Sequence, residues 1–229
     1  MGLKHFPKGF KPTSTQEYAI PDILDSFNSG KFVVVQGPTG CGKSFIAKAI
    51  ANGLKSPPSR ITKLIKNYTA YETTWEKNKL VYEYADDFNN GKRYGTSILT
   101  TTKALQDQYI RDFDDIKPLK GKSSYICNLD DRSTADNAPC TFSSKLKREC
   151  WDCKRCDYYE SRNESISSKI SVENYASFFH KPDHLKHREL IVCDEASELE
   201  NIIVNRYSCS IELGKLHKYK FYLPYTQNS

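Results

Sequence analysis

A chain of 229 residues with 38% hydrophobic and 12% aromatic side chains has the material for one large or two small packed domains, and its net charge of +6 favours a polyanionic partner without identifying one. No apolar run approaches the ~18–20 residues of a membrane helix, and the start MGLKHFPKGF lacks the apolar centre of a secretory signal. Eight cysteines in such a chain point to a reducing, intracellular setting, cytoplasmic or nuclear, where grouped thiols bind metal more often than they pair.

Pro7, Gly9 and Pro12 keep the first residues irregular. Tyr18, Ile20, Ile23, Leu24 and Phe27 then predict a short helix over 15–27, with Pro21 in its first turn or interrupting it. Gln16 carries an amide with a donor and an acceptor side by side, as adenine's edge requires, and the same amide serves equally as a solvated side chain. Next comes FVVVQGPTGCGKS at 32–44. Its apolar start predicts a short buried strand, and Phe45–Leu54 predicts a helix ending near Gly53. Between them Gly37, Pro38, Thr39, Gly40, Cys41, Gly42, Lys43 and Ser44 fit the phosphate-binding loop spacing G-x-x-x-x-G-K-[ST]. The glycines let backbone N–H groups turn inward where a Cβ would clash. Lys43 is the expected partner of the β- and γ-phosphates of ATP, and the Ser44 hydroxyl of Mg²⁺.

Pro57 and Pro58 break the helix, and 56–96 follows as a polar, Lys- and Tyr-rich insertion with patchy helical spacing at Leu64, Tyr68, Tyr71 and Trp75. Thr96–Thr101 predicts a second strand and KALQDQYIRDF an amphipathic helix. Thr100, Thr101 and Thr102 at that junction either offer donors to a nucleic-acid phosphate or cap the helix. Residues 120–160 then gather Cys127, Cys140, Cys150, Cys153 and Cys156, with Lys145, Lys147, Arg148, Lys154 and Arg155 around them. No histidine stands in this stretch, so an all-thiolate site is expected, for Zn²⁺ or an iron–sulfur cluster, with one thiol to spare. Beyond it, 161–170 reads as helix, 170–172 as a short strand and 174–179 as a further helical turn. Leu190–Cys193 reads as a buried strand ending in Asp194 and Glu195. An aspartate there can hold Mg²⁺, and the neighbouring glutamate can deprotonate an attacking water. Residues 201–229 hold too little apolar material for another nucleotide-binding lobe.

Taken together these segments resemble the iron–sulfur helicases of superfamily 2, the DinG and XPD group, with a phage or viral flavour. GPTGCGKS at 37–44 resembles that family's first motif, and LTTTKALQDQY at 99–109 its DNA-contacting motif, with Thr100, Thr101, Gln106 and Gln108 on the pattern. KGKSSYIC at 120–127 and CKRCDYY at 153–159 resemble the entry to and exit from its cluster domain. ISVENYASFF at 170–179 resembles the return to the sheet, and VCDEASELE at 192–200 the DEAH motif. The resemblance implies an α/β fold: a RecA-like parallel sheet with the loop of a P-loop NTPase and an inserted cysteine-rich metal-cluster subdomain. It also implies ATP-dependent helicase activity, with Lys43, Asp194 and Glu195 as catalytic residues and Gln16 reading adenine. A [4Fe–4S] cluster is implied on Cys127, Cys140 and two of Cys150, Cys153 and Cys156, with Zn²⁺ as the other candidate. The implied partner is single-stranded or forked DNA, contacted by Thr100, Thr101, Thr102 and Gln106.

The layout that follows is 1–119 for the first part of the ATP-binding lobe, 120–160 for the cluster insert, 161–205 for the return to the lobe and 206–229 for a tail or the start of a further region. Three departures accompany the resemblance: Ser197 stands where the family has the DEAH histidine, the 56–96 spacer is long, and the second RecA-like lobe with its arginines is not within these residues. That lobe is expected from a second chain or from the rest of a split or truncated gene. The competing readings are a lobe that binds ATP or DNA without turnover, and a P-loop kinase acting on a small acceptor. The kinase leaves the clustered thiols and TTKALQDQ unexplained.

Overall fold

The order of the fold begins with one short polar pattern, Thr-x-x-Gln. Thr13 accepts a hydrogen bond from the Gln16 backbone N–H at 3.4 Å, and the Gln16 side chain accepts one from the Thr13 N–H at 2.9 Å. This reciprocal cap starts helix α1, Ser14–Ser26, which carries Pro21 inside it and turns Ile20 and Ile23 inward. Helix α2, Lys43–Gly53, packs Ile46, Ala49 and Ile50 against those two isoleucines. Its Ala51 joins a second apolar cluster with Ile98, Tyr109, Phe113, Ile116, Ile170 and Val172. The computed structural model describes residues 2–54, 93–143, 145–146, 156–181, 186 and 188–208. Most of the expected 56–96 insertion, together with Cys150 and Cys153, lies outside them.

The second cluster lies on one face of a sheet of four parallel strands in the order β2-β5-β1-β6. These are β1 at Thr96–Thr100, β2 at Lys117–Leu119, β5 at Ile170–Asn174 and β6 at Leu190–Cys193. Strand β1 pairs Thr96 with Ile170 on one side and with Leu190 on the other, and it is buried throughout, as a central parallel strand must be. Helix α3, Lys103–Asp112, follows β1 and supplies Tyr109 to the apolar face. Alternation along the strands turns Ser97, Ser171 and Glu173 to the opposite face. There Ser97 and Ser171 approach oxygen to oxygen at 3.1 Å, and Lys181 pairs with Glu173 at 2.6 Å, both side chains buried. A short hairpin, β3 at Ile126–Cys127 and β4 at Asp130–Thr134, pairs antiparallel apart from this sheet. Helix α4, Asp157–Ser167, starts after Cys156, and α5, Tyr175–His180, is capped by Asn174 accepting from the Ser177 N–H at 2.6 Å.

Several expectations are revised. Phe32–Val35 forms no strand: Phe32 and Val34 are each 92% exposed, and Val33 alone packs inward, against the cluster around Ile20. An apolar run becomes a buried strand only when neighbours cover both faces, and no described strand pairs with this one. Strand β6 is half-buried rather than buried, with Ile191 exposed. Helix α4 begins four residues early, at Asp157, and β5 runs on to Asn174. Residues up to Glu195 form one compact unit, and Ala196–Ser229 form a second, in which α6 spans Leu199–Tyr207. No described helix is long and apolar enough to cross a membrane.

The Lys181–Glu173 pair gives the first prediction. Burial depresses the Lys181 amine below its usual range while the Glu173 carboxylate opposes that shift, and one oxygen of Glu173, Oε2, has no hydrogen-bond partner. Lys181→Met then strands a buried carboxylate and is expected to cost about 3–5 kcal/mol in urea unfolding, most of it recovered by adding Glu173→Leu. A single-mutant loss under about 1 kcal/mol would show that the pair does not hold β5 to α5.

Candidate functional site

Because the four strands are parallel, their carboxyl ends share one edge, and the chain leaves β6 there through Asp194 and Glu195. The Asp194 N–H donates to the Leu99 carbonyl at 2.9 Å, carrying the β1–β6 pairing one residue past the strand. Its carboxylate is held at both oxygens. Oδ1 accepts from the Glu195 N–H at 3.0 Å, and Oδ2 accepts from the Tyr109 hydroxyl at 3.0 Å. The Tyr175 hydroxyl donates to the Asp194 carbonyl at 2.9 Å. Burial, then the charge of Asp194, pushes the Tyr109 phenol far up, so it remains a donor. Burial does the same to Tyr175, with the Cys193 thiol next in effect. The Cys193 thiol is itself raised by burial, against a hydrogen bond with Tyr175, and stays neutral.

Glu195 is held differently. Its φ is +54°, in the left-handed region, where no other described non-glycine residue sits. A residue with a Cβ occupies that region at a cost, and it persists where its surroundings impose it. Its side chain is held by the Thr101 hydroxyl, which donates to Glu195 Oε2.

The glycine-rich loop leads directly into α2. The last turn of that helix is fixed by Lys169, whose amine donates to the Asn52 carbonyl at 2.7 Å just before β5 begins. Nearer its start, Phe45 meets Phe113 edge-on at 5.1 Å and Lys48 pairs with Asp115 at 2.6 Å, so α2 lies against the segment that joins α3 to β2. Within the loop Gly40 and Gly42 take φ of +82° and +79°. The Lys43 amine donates to the Gly37 and Pro38 carbonyls at 2.9 and 3.1 Å. Pro38, Thr39 and Gly40 are exposed, and Cys41 through Ser44 are half-buried.

Gln16 is neither solvated nor turned to a ligand. Its carbonyl oxygen is spent on the cap of α1, and its amide donates to the Cys41 and Gly42 carbonyls at 3.4 and 3.3 Å. A Cβ on Gly42 would lie 2.2 Å from that nitrogen, so Gln16 clasps the loop through its backbone. Thr100 and Gln106 are likewise interior. The Thr100 hydroxyl donates to the Thr102 carbonyl at 3.3 Å, and the Gln106 amide to the Leu119 carbonyl at 3.3 Å. Thr102 caps α3, accepting from the Leu105 N–H at 3.3 Å. The structure thus brings Thr101, Asp194 and Glu195 together, and separately Gln16, Cys41 and Gly42. No hydrogen bond or ion pair joins these two groups among the described residues.

Of the five expected thiol ligands, Cys127 is buried, Cys140 and Cys156 are half-buried, and none of the three is in a disulfide. Asn128 donates to Asp157 at 3.3 Å, which ties together the chain neighbours of Cys127 and Cys156. Among the described residues no three His, Cys, Asp or Glu side chains converge as a metal site. Tyr109 and Tyr175, the two phenols on Asp194, were not foreseen, because nothing local in sequence marks a contact across that distance. The clasp by Gln16 had a readable signal in Thr13-x-x-Gln16, the capping-box pattern. Comparison of the chain with protein-family models, with curated proteins and with solved structures gave no match.

The clasp separates two glycines that are otherwise alike. Gly40→Ala meets nothing within 4 Å and should lose about 1–2 kcal/mol for its left-handed φ alone. Gly42→Ala must also displace Gln16 and should lose more, and urea unfolding should show that excess vanish in a Gln16→Ala background. An excess that survives there would mean Gln16 does not hold the loop.

Proposed function

We propose that this chain is the ATP-binding lobe of a nucleic-acid-dependent ATPase of the iron–sulfur superfamily 2 helicase kind. The observation that carries the proposal is a glycine-rich loop fitting the P-loop pattern at the start of a helix, in the same compact unit as a strand ending in Asp194-Glu195. In this reading the N–H groups of 37–44 receive the phosphates of ATP, and Lys43 turns from the Gly37 and Pro38 carbonyls to compensate their charge. The Ser44 hydroxyl and the Asp194 carboxylate are the ligands offered to Mg²⁺, directly or through water. Asp194 has two fixed hydrogen bonds to keep its oxygens aimed. Glu195 takes the proton of the water that attacks the γ-phosphate, giving ADP and phosphate. Gln16 acts on the nucleotide through the loop it clasps, not by reading the base.

Thr101 and Thr102 remain as the polar groups by which the 100–102 turn meets a single strand, since Thr100 and Gln106 are interior. For the metal, the donor set supports a centre on Cys127, Cys140 and two of Cys150, Cys153 and Cys156. A [4Fe–4S] cluster or Zn²⁺ bound there would supply a covalent tie across a polar stretch with little apolar material of its own. Asn128–Asp157 already joins the chain beside two of those thiols.

Calorimetry with ATP and Mg²⁺ tests the first part. Lys43→Ala should weaken binding at least tenfold, about 1.4 kcal/mol, while Glu195→Gln retains it. An unchanged dissociation constant in Lys43→Ala would dispose of the loop assignment. For the metal, protein purified without oxygen should carry iron and sulfide, and single Cys→Ser changes should abolish both at four of the five positions. Stoichiometric zinc without sulfide would replace the cluster by a zinc site, and full retention in all five variants would remove the site altogether.

A further inference from the structure

The Thr101 hydroxyl has one proton to give. It gives that proton to Glu195 Oε2 across 94 positions of sequence, and the receiving residue sits in a left-handed backbone conformation. Asp194 beside it is fixed by Tyr109, Glu195 and Leu99, so the contact with Thr101 sets the glutamate alone. Thr101 has no part in capping α3, which Thr102 does, nor in the interior, which Thr100 occupies. Of the three threonines in the turn, Thr101 is the one whose hydroxyl is half-exposed and spent on a carboxylate.

We propose that Thr101 is a positioning residue shared between the two functions of the lobe. Its hydroxyl holds the Glu195 carboxylate when no strand is bound, and passes to a backbone phosphate when a single strand reaches the 100–102 turn. This rests on the ATPase reading above and adds its regulation. A carboxylate accepting the Thr101 proton has one oxygen occupied and aimed at β1. Released, that oxygen is open to a water. Strand binding and release of the base are then one event, and by linkage the acceptor at 195 must oppose strand binding through Thr101. The sheet need not move: the exchange is between two acceptors for one hydroxyl.

The linkage can be read from nucleic-acid affinity alone, without ATP turnover. A fluorescent dT oligonucleotide is titrated by anisotropy into the full chain and into Thr101→Val, Glu195→Ala, the double variant and Thr101→Ser. Removing the carboxylate also removes a negative charge, which tightens binding in any background. The cycle isolates what depends on Thr101. Glu195→Ala should tighten binding about threefold more when residue 101 is Thr than when it is Val, a coupling typical of contacting side chains. Combined with Thr101→Ser, which keeps the hydroxyl, the tightening should return to the parent's value. Thr101→Ala stands in for Thr101→Val should the latter melt at a lower temperature than the parent. Equal tightening in the Thr and Val backgrounds overturns the proposal, as does failure of the serine to restore the response. A parent chain that binds no oligonucleotide overturns it too. ATP affinity, measured separately with Lys43→Ala, then says whether the nucleotide site stands without the switch.

Discussion

Everything at the carboxyl edge depends on the register of β6 against β1. Side chains alternate along a strand, so a slip of one residue would turn Asp194 from the edge towards the opposite face. Two sets of bonds, one at each end, fix that register. At the amino end Arg188, two residues before β6, donates to the Ser97 hydroxyl at 3.2 Å, to the Ser171 hydroxyl at 3.1 Å and to the Ser168 carbonyl at 2.9 Å. One guanidinium thereby ties β1, β5 and the end of α4 to the start of β6, a task its planar fork suits better than an ammonium. At the carboxyl end the Asp194 N–H closes on Leu99. The strand between is four residues long, too short to hold its place by ladder bonds alone.

The sheet has two faces of different chemistry, and this divides the labour in the fold. The apolar face under α2 and α3 supplies the cohesion, through Ile98, Val172, Tyr109 and Phe113 with Phe45 stacked edge-on to Phe113 at 5.1 Å. The polar face, with Ser97, Ser171, Glu173, Lys181 and Arg188, supplies direction, since hydrogen bonds between fixed groups reject alternative registers that an oily surface would tolerate. Tyr109 belongs to both descriptions. Its ring is core, and its hydroxyl crosses to the carboxylate of Asp194.

The helices were legible because their signals are local. The spacing of Tyr18, Ile20, Ile23 and Leu24 gave α1, and the alanines of 47–51 gave α2, each within a residue or two of its observed ends. Strands β1 and β6 were legible as apolar runs, yet the same rule misread Phe32–Val35, since a run of apolar residues says nothing about whether a neighbour will cover it. The hairpin at 126–134 was not legible, because Asp130–Thr134 is polar throughout and its pairing with Ile126 and Cys127 follows from a turn. At the candidate site, residue types singled out Lys43, Asp194 and Glu195, but not the partners that hold them. Gln16 shows the limit most clearly: the sequence told that its amide was bifunctional, and only the fold told that both functions were consumed inside.

The parallel sheet also dictates when in the life of the polypeptide this edge can come into being. Helix α1, its capping box and α2 are made of contacts near in sequence and can form as soon as those residues exist. Strand β1 meets β5 through Ser97 and Ser171, 74 positions apart, and Thr101 meets Glu195 only at a separation of 94. During synthesis β1 therefore waits, exposed, until most of the described chain has followed it. The loop that closes on Lys43 is assembled early, and the carboxylates at the end of β6 are assembled last. A nascent chain of this protein passes through a long interval in which its glycine-rich loop exists and its central strand, TSILT, has no partner.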